Sequence, residues 1–233
     1  MTSFPFEIVG FDLDGTLLDS HGDLAAALNH AIAFEGRPGI PASQVRALIG
    51  GGAKRMLVKA LEVTGGGVGA QRLDELHGIL LRFYEANVAV ETRLFPGGEA
   101  MLDGLAARGV KLAVVTNKLE RLAVRIFDEL GLSDRFYTVI GGDTLGPGRA
   151  KPKPDLLFEM LDRAGVPREG ARAAYVGDTT YDTGAAAAAG MPCIAVSFGF
   201  CDRPVRELGA SAVIDHFDEL IPVLESVGAV SAT

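Results

Sequence analysis

Two aspartates separated by a single residue follow the first apolar segment of the chain. Residues 7–11 predict a short buried strand, and Asp12 and Asp14 come directly after it. Two acids this close at the end of a buried strand favour a place that holds a cation and attacks an anion with a carboxylate. A calcium-binding EF-hand loop does not fit, because no helix precedes the acids and Leu17 stands where that loop needs glycine. A plain strand-to-loop turn remains the alternative.

Other polar residues stand at equivalent places later in the chain. Each of them stands at the end of an apolar segment, just before a predicted helix, or in the first turn of such a helix. They are Thr116, Asn117, Lys151, Asp178 and Asp182. Each has an ordinary explanation of its own, such as a strand-end turn at Thr116, a solvated cation at Lys151 or a helix N-cap at Asp178. Ligands of open parallel sheets lie at the carboxyl ends of the strands, so their joint occurrence predicts one site.

These residue types suit an attack on a phosphate ester. A carboxylate that approaches a phosphate meets another anion, so the site must cancel charge. Mg²⁺, held by a few carboxylates and the substrate phosphate, does this, and Lys151 adds a second positive charge. The Thr116 hydroxyl and nearby N–H groups can bind the phosphoryl oxygens. A second acid serves as proton donor and then as base.

The elements that position these residues alternate between strands and helices. Strands are predicted at 7–11, 110–115, 137–140, 173–176, 193–196 and 212–214. Four helices without an intervening strand are predicted first, at 21–35, at 42–49, around Met56–Leu61 and at 70–88, and helices separate the later strands. The pattern predicts an α/β fold, a doubly wound, mostly parallel, Rossmann-like sheet core with an inserted helical domain. The core would take residues 1–16 and 90–233, and the helical domain residues 17–89.

Composition limits the classes of partner. The 233 residues carry 30 acids against 22 Lys and Arg, a net charge of −8, which argues against nucleic-acid binding. Cys193 and Cys201 lack metal-site spacing and are expected to be reduced thiols. The N-terminus does not read as a signal peptide, and the uncharged run 184–201 is broken by a Gly-Met-Pro turn. We therefore expect a cytoplasmic protein that binds neither nucleic acid nor membrane.

Four short motifs resemble those of the haloacid dehalogenase superfamily of phosphatases. They are Asp12-Leu13-Asp14-Gly15-Thr16, Thr116-Asn117, Lys151-Pro152, and Gly177-Asp178 followed by Asp182. The resemblance implies that Asp12 is the nucleophile, forming an aspartyl-phosphate, and that Asp14 is the acid and base. It implies phosphate binding by Thr116, Asn117 and Lys151. Mg²⁺ would be held by Asp12, the Asp14 carbonyl and Asp178, with Asp182 behind them, and the inserted helices would form a mobile cap. Residues 143–150 depart from the pattern, which leaves open which lysine points inward.

Other stretches resemble the bacterial phosphoglycolate phosphatases within that superfamily. They are Leu17–Ser20, Ile49–Gly52, Leu94–Gly97, Val115–Lys118, Ile140–Asp143 and Phe198–Phe200. The expected partner is a small phosphorylated metabolite, 2-phosphoglycolate, whose carboxylate would meet the turn at Gly51 and either Lys54 or Arg55. Solvated side chains on a first helical turn are the alternative for that pair.

Other activities of the same fold stay open. They are hydrolysis of a sugar phosphate or pyrophosphate, phosphomutase activity, haloacid dehalogenation and a non-catalytic binding role. Dehalogenation is disfavoured because it needs no acid at the position of Asp14. A non-catalytic role is disfavoured because none of the motif residues is missing. The sequence leaves the oligomeric state undetermined.

Overall fold

A six-stranded parallel sheet forms the centre of the molecule. The computed structural model describes residues 4–230. Its strands are β1 (Ile8–Phe11), β4 (Lys111–Val115), β5 (Thr138–Ile140), β6 (Ala173–Gly177), β7 (Cys193–Val196) and β8 (Ala212–Ile214). The strand order is β5-β4-β1-β6-β7-β8, and all five neighbouring pairs are parallel. The α/β prediction is confirmed, with β1 in the interior of the sheet between β4 and β6.

Helices cover both faces of the sheet. They are α5 (Gly98–Ala106), α6 (Glu120–Leu130), α7 (Asp155–Ala164), α8 (Thr180–Ala189) and α9 (Leu220–Val230). Alternate strand residues face opposite layers, so Val9 and Phe11 pack with α5, α6 and α9, whereas Ile8 packs with α7 and α8. Burial on both faces explains why these strands are unbroken apolar runs in the sequence.

The first four helices form a group of their own. They are α1 (His21–Ala33), α2 (Ala42–Val45), α3 (Ala53–Thr64) and α4 (Ala70–Ala86). α1 packs against each of the other three, and α3 packs against α4. Leu28, Leu57 and Leu80 are fully buried between them. The group begins at His21 and ends at Ala86, and the domain boundaries near residues 16 and 90 stay a prediction.

A two-stranded sheet joins the helical group to the core. β2 (Leu18–Asp19) pairs antiparallel with β3 (Arg93–Leu94). The chain reaches β2 through a tight turn at Gly15, whose φ of +87° suits glycine, and a side chain there would collide with Phe200 and Asp178. This turn places the acids that follow β1 close to the loop that follows β7.

Two helical predictions differ from the structure in detail. The helix predicted at 42–49 ends at Val45 and continues as a 3₁₀ turn at Arg46–Leu48. The last helix, predicted over residues 217–227, begins at Leu220 after a 3₁₀ turn at Phe217–Glu219. Within residues 4–230, no helix has the length and apolar character that crossing a bilayer requires.

Candidate active site

Three neighbouring strands end at the same edge of the sheet, and each is followed by a polar residue. Asp12 follows β1, Thr116 follows β4 and Asp178 follows β6. The backbone N–H of Asp12 donates to the Val176 carbonyl at 2.9 Å, so the first residue beyond β1 is still fixed to the sheet. The topology therefore brings together residues that are more than 160 positions apart in the sequence.

Three carboxylates meet at this edge. One oxygen from each of Asp12, Asp178 and Asp182 lies within 4.8 Å of the others. Asp182 stands in the first turn of α8 and accepts hydrogen bonds from the backbone N–H of Thr179 at 2.9 Å and from its hydroxyl at 2.6 Å. Asp178 accepts from the Thr16 hydroxyl at 3.0 Å and the Phe200 N–H at 2.7 Å. Neighbouring loops and the end of a helix thus fix the cluster.

Lys151 lies between two of these acids. Its ammonium group donates to Asp182 Oδ1 at 2.6 Å and to the Tyr175 hydroxyl at 2.7 Å, and it lies 2.9 Å from Asp12 Oδ1. Asn117 holds the Lys151 backbone in place, since its amide group accepts from the Lys151 N–H and donates to the Lys151 carbonyl. Lys151 is buried and Lys153 is exposed, so it is Lys151 that points inward.

The contact between Lys151 and Asp12 is an ion pair without hydrogen-bond geometry. Asp12 Oδ1 is consequently the one buried side-chain nitrogen or oxygen within residues 4–230 that has no hydrogen-bond partner. Burial raises the pKa of Asp12 from 3.8 to about 6, against the lowering effect of Lys151 and with further raising by Asp182 and Asp14. Burial, followed by the charges of Asp182 and Asp12, raises the pKa of Asp178 well above its ordinary value.

This donor set fits a hard divalent cation. Buried carboxylates that repel one another are stabilised in the charged form by a cation bound between them. Asp12 Oδ1 has a lone pair available, and the ligands are all oxygens, which is the donor type that Mg²⁺ prefers. The residues that could hold such an ion are Asp12, Asp178 and Asp182.

Asp14 stands apart from the cluster and faces the helical group. Its carboxylate lies 2.8 Å from the ammonium group of Lys118 and accepts a 2.6 Å hydrogen bond from the Ser20 hydroxyl. Lys118 also donates to the hydroxyl of Tyr84, a buried residue of α4, at 2.9 Å. Burial lowers the pKa of Lys118, but Asp14 and Tyr84 outweigh it and hold that pKa above its ordinary value.

A cleft of about 260 Å³ lies between the sheet edge and the helices. Its walls include Asp12, Asp14, Thr116, Asn117, Lys151, Asp178 and Asp182 from the core and Gly51, Lys54, Met56 and Tyr84 from the helical group. The cleft therefore brings together nine of the ten residues that the sequence predicts as site residues. Arg55 alone among the sequence candidates is not part of the wall.

The turn before α3 approaches the core closely. Gly50, Gly51 and Gly52 all have positive φ, and Gly51 lies against the ring of Tyr181, which precedes Asp182. Lys54 is exposed and pairs with Asp74, while the guanidinium group of Arg55 lies 5.6 Å from the centre of the Tyr181 ring. Both basic side chains thus have protein partners, and neither is held inside the cleft.

Sequence reasoning missed Lys118 and Tyr84 as site residues. Lys118 directly follows Thr116-Asn117, and this position near the end of a strand was the one feature of the sequence that pointed to the site. Tyr84 stands four residues after Leu80 and so shares the buried face of its helix. The hydroxyl at the end of that apolar face is what reaches the cleft.

A family model described as haloacid dehalogenase-like hydrolase matches residues 9–196. The chain is 37% identical over 227 residues to a phosphoglycolate phosphatase of Agrobacterium fabrum, covering 96% of this chain and 95% of the relative. It is 39% identical over 219 residues to a phosphoglycolate phosphatase of Pseudomonas savastanoi pv. phaseolicola, covering 93% and 79%. A crystal structure of a predicted phosphoglycolate phosphatase from Haemophilus somnus 129pt is similar with a TM-score of 0.85 and 27% identity, covering 96% and 99% of the two chains.

Proposed function

Because the chain belongs to the haloacid dehalogenase-like hydrolases, we propose that it is a phosphatase that hydrolyses 2-phosphoglycolate to glycolate and phosphate. One observation carries the chemistry: a buried Asp12 oxygen makes no hydrogen bond and lies 2.9 Å from the Lys151 ammonium group, in a cleft that also holds two further acids. The substrate is supported by the names of the relatives, which match over nearly the whole chain.

Asp12 acts as the nucleophile in this proposal. A carboxylate oxygen of Asp12 forms a bond to phosphorus while the bond from phosphorus to the ester oxygen breaks. Asp14 lines the same cleft, and its side chain is 15% exposed. It gives a proton to the departing alkoxide. Asp14 then takes a proton from water, which attacks the aspartyl-phosphate and releases phosphate and the free carboxylate.

The phosphoryl oxygens are held by groups from two loops. The Thr116 hydroxyl faces the cleft, and the Lys151 ammonium group lies 2.9 Å from the proposed nucleophile. Asn117 supports both loops, because its amide group is bonded to the Lys151 backbone. Charge placed in advance in a largely water-free cleft stabilises the transition state more than the same charge would in water.

A bound Mg²⁺ would cancel the negative charge that arises when a carboxylate meets a phosphate dianion. Asp12, Asp178 and the backbone carbonyl of Asp14 would hold it, with Asp182 adjoining them. Lys151 supplies one positive charge among three carboxylates and is not sufficient alone.

The carboxylate of the substrate is assigned to the turn that precedes α3. Gly52 and Ala53 stand at the start of this twelve-residue helix and line the cleft, and the first N–H groups of a helix have no partner within it. Lys54 lies on the cleft wall and would approach the carboxylate by leaving Asp74, an exposed pair of small stability. Residues 17–89 would act as the cap that closes over the substrate.

A panel of phosphate esters tests the function. We expect purified protein to release phosphate from 2-phosphoglycolate with a higher kcat/KM than from sugar phosphates, pyrophosphate or 4-nitrophenyl phosphate. Excess EDTA should remove the activity, and added Mg²⁺ should restore it. A sugar phosphate that exceeds 2-phosphoglycolate in kcat/KM would overturn the substrate, and full turnover in EDTA would overturn the metal. Cytoplasmic location stays a prediction outside this test.

A further inference from the structure

Lys118 is a second buried lysine of the cleft, and the phosphatase chemistry described above does not use it. Its side chain is 6% exposed, and its ammonium group lies 2.8 Å from Asp14 Oδ2. It stands on the loop after β4, two residues beyond Thr116, whose hydroxyl accepts a hydrogen bond from the Lys118 N–H. A buried lysine costs free energy unless it is paired, so its place beside Asp14 is a specific feature of this site.

Groups from two segments contact the Asp14 carboxylate, and a third segment supports one of them. One oxygen accepts from Ser20, which precedes α1, and the other faces Lys118 from the core. Lys118 is itself bonded to the hydroxyl of Tyr84 at 2.9 Å, and Tyr84 is only 2% exposed on α4. Tyr84 thereby links the position of an acid in the core to the packing of a helix in the inserted group.

Such restraint matters for a proton donor. A misplacement of about 1 Å at a reacting centre can cost on the order of a hundredfold in rate. Asp14 directly precedes the tight turn at Gly15 and has a short side chain that could otherwise rotate towards solvent. Lys118 and Ser20 together remove that freedom.

We propose that Lys118 is a positioning residue that fixes the Asp14 carboxylate for proton transfer to the leaving group, and that Tyr84 makes this depend on the packing of α4. This role rests on the proposed function, in which Asp14 protonates the departing alkoxide. A competing role for Lys118 is direct binding of the carboxylate of 2-phosphoglycolate. In either role, the Lys118 ammonium group would lie beside a carboxylate, that of Asp14 or that of the substrate.

Three substrates separate the two roles in the variant Lys118→Met. 2-Phosphoglycolate and ethyl phosphate both release a poor alkoxide leaving group, which needs a proton, but only the first carries a carboxylate. 4-Nitrophenyl phosphate releases a stable phenolate that needs no proton. We expect kcat/KM to fall about a hundredfold for both alkyl phosphates and less than about tenfold for the aryl ester.

Tyr84→Phe is the milder companion variant, because it removes the hydroxyl and leaves the ring and the Lys118 charge in place. We expect the same order of sensitivity among the substrates with a loss of about three- to tenfold, and no further loss when Tyr84→Phe is added to Lys118→Met. Lys111→Met is the matched control: Lys111 starts the strand that Lys118 follows and also lies over a tyrosine ring, that of Tyr137, away from the cleft. It should leave all three values near those of the wild type.

The outcomes are distinct. A loss confined to 2-phosphoglycolate would overturn the positioning role in favour of carboxylate binding. Equal losses on all three substrates would overturn it in favour of a general structural role. If Lys118→Met does not fold, Tyr84→Phe decides between these results by the same comparison. A wild-type protein inactive on every phosphate ester would instead refute the proposed function.

Discussion

At the scale of single residues, Asp12 is the proposed nucleophile, and its buried charge also lowers the stability of the folded protein. Its folded-state pKa of about 6 exceeds the ordinary 3.8, because burial and neighbouring acids disfavour the charged form. A raised pKa means that the contribution of this group to stability is present below pH 4 and is lost as pH rises through 6. In metal-free protein this difference corresponds to about 3 kcal/mol at most.

The variant Asp12→Asn should therefore lose turnover and gain stability. An amide cannot form the aspartyl-phosphate, and it removes one charge from the cluster while Lys151 keeps Asp182 as its partner. In EDTA, we expect a higher Tm than the wild type at pH 8 and a smaller gain at pH 5. Thermal unfolding at both pH values measures this, with Asp134→Asn on an exposed turn as the control. A lower Tm at pH 8, or wild-type turnover without deamidation, would contradict the assignment.

The acids and Lys151 could be predicted from the sequence because each follows or adjoins a strong strand or helix signal. Lys118 could not, since a lysine beside a strand-end loop is normally solvated, and only the folded chain shows Tyr84 closing over it. The same holds for Lys54 and Arg55, whose partners Asp74 and Tyr181 are distant in the sequence. Partners brought together by tertiary packing leave no local pattern.

At the scale of elements, the strands of the central sheet and the long helices were predicted, whereas the two strands of two residues each were missed. β7 and β8 lie at the predicted residues, because each is an apolar run between turn signals. β2 and β3 have two residues each, too few for any periodicity, and they exist only because the chain crosses between core and helices twice at the same place. These two crossings govern how the helices meet the cleft.

The turn before α3 allows a test at this scale. Gly51 has a φ of +74°, and a methyl group there would lie 2.7 Å from Arg55 Cδ and 2.9 Å from the Tyr181 hydroxyl oxygen. We expect Gly51→Ala to lower the free energy of unfolding by about 1–2 kcal/mol and to move the turn away from the core. KM should rise more for 2-phosphoglycolate than for 4-nitrophenyl phosphate, which has no carboxylate.

Gly66→Ala provides the matched control. Gly66 also has a positive φ, of +101°, and belongs to the helical group, but a methyl group there would meet no atom within 4 Å. Denaturant titration should show comparable destabilisation in both variants, and steady-state kinetics should show a KM change in Gly51→Ala only. Equal KM increases for both substrates in Gly51→Ala would leave the turn with a structural role alone.

At the scale of the whole molecule, function depends on how the helical group is attached to the core. The cleft takes walls from both, so a substrate enters or leaves by a path that the two attachments control. The returning segment is fixed by Asp23 of α1, a residue that is 4% exposed. Its carboxylate accepts hydrogen bonds from the N–H groups of Glu91 and Thr92 and from the Thr92 hydroxyl at 2.7 Å. Asp23 therefore binds the outgoing chain to the start of the first helix.

Replacing Asp23 by Asn should loosen this attachment while the sheet stays intact. The amide retains one acceptor oxygen and turns an N–H group towards backbone donors, which leaves buried groups unsatisfied at a cost of about 1–3 kcal/mol. We expect faster proteolytic cleavage within residues 87–92 of the native protein and a moderately lower unfolding free energy. Limited proteolysis with mass mapping and urea denaturation measure the two effects. Asp103→Asn on α5 loses an exposed ion pair with Arg135, and it should change neither the cleavage rate nor the free energy of unfolding. Cleavage at the wild-type rate would show that the outgoing segment is held by the β2–β3 pairing and not by Asp23.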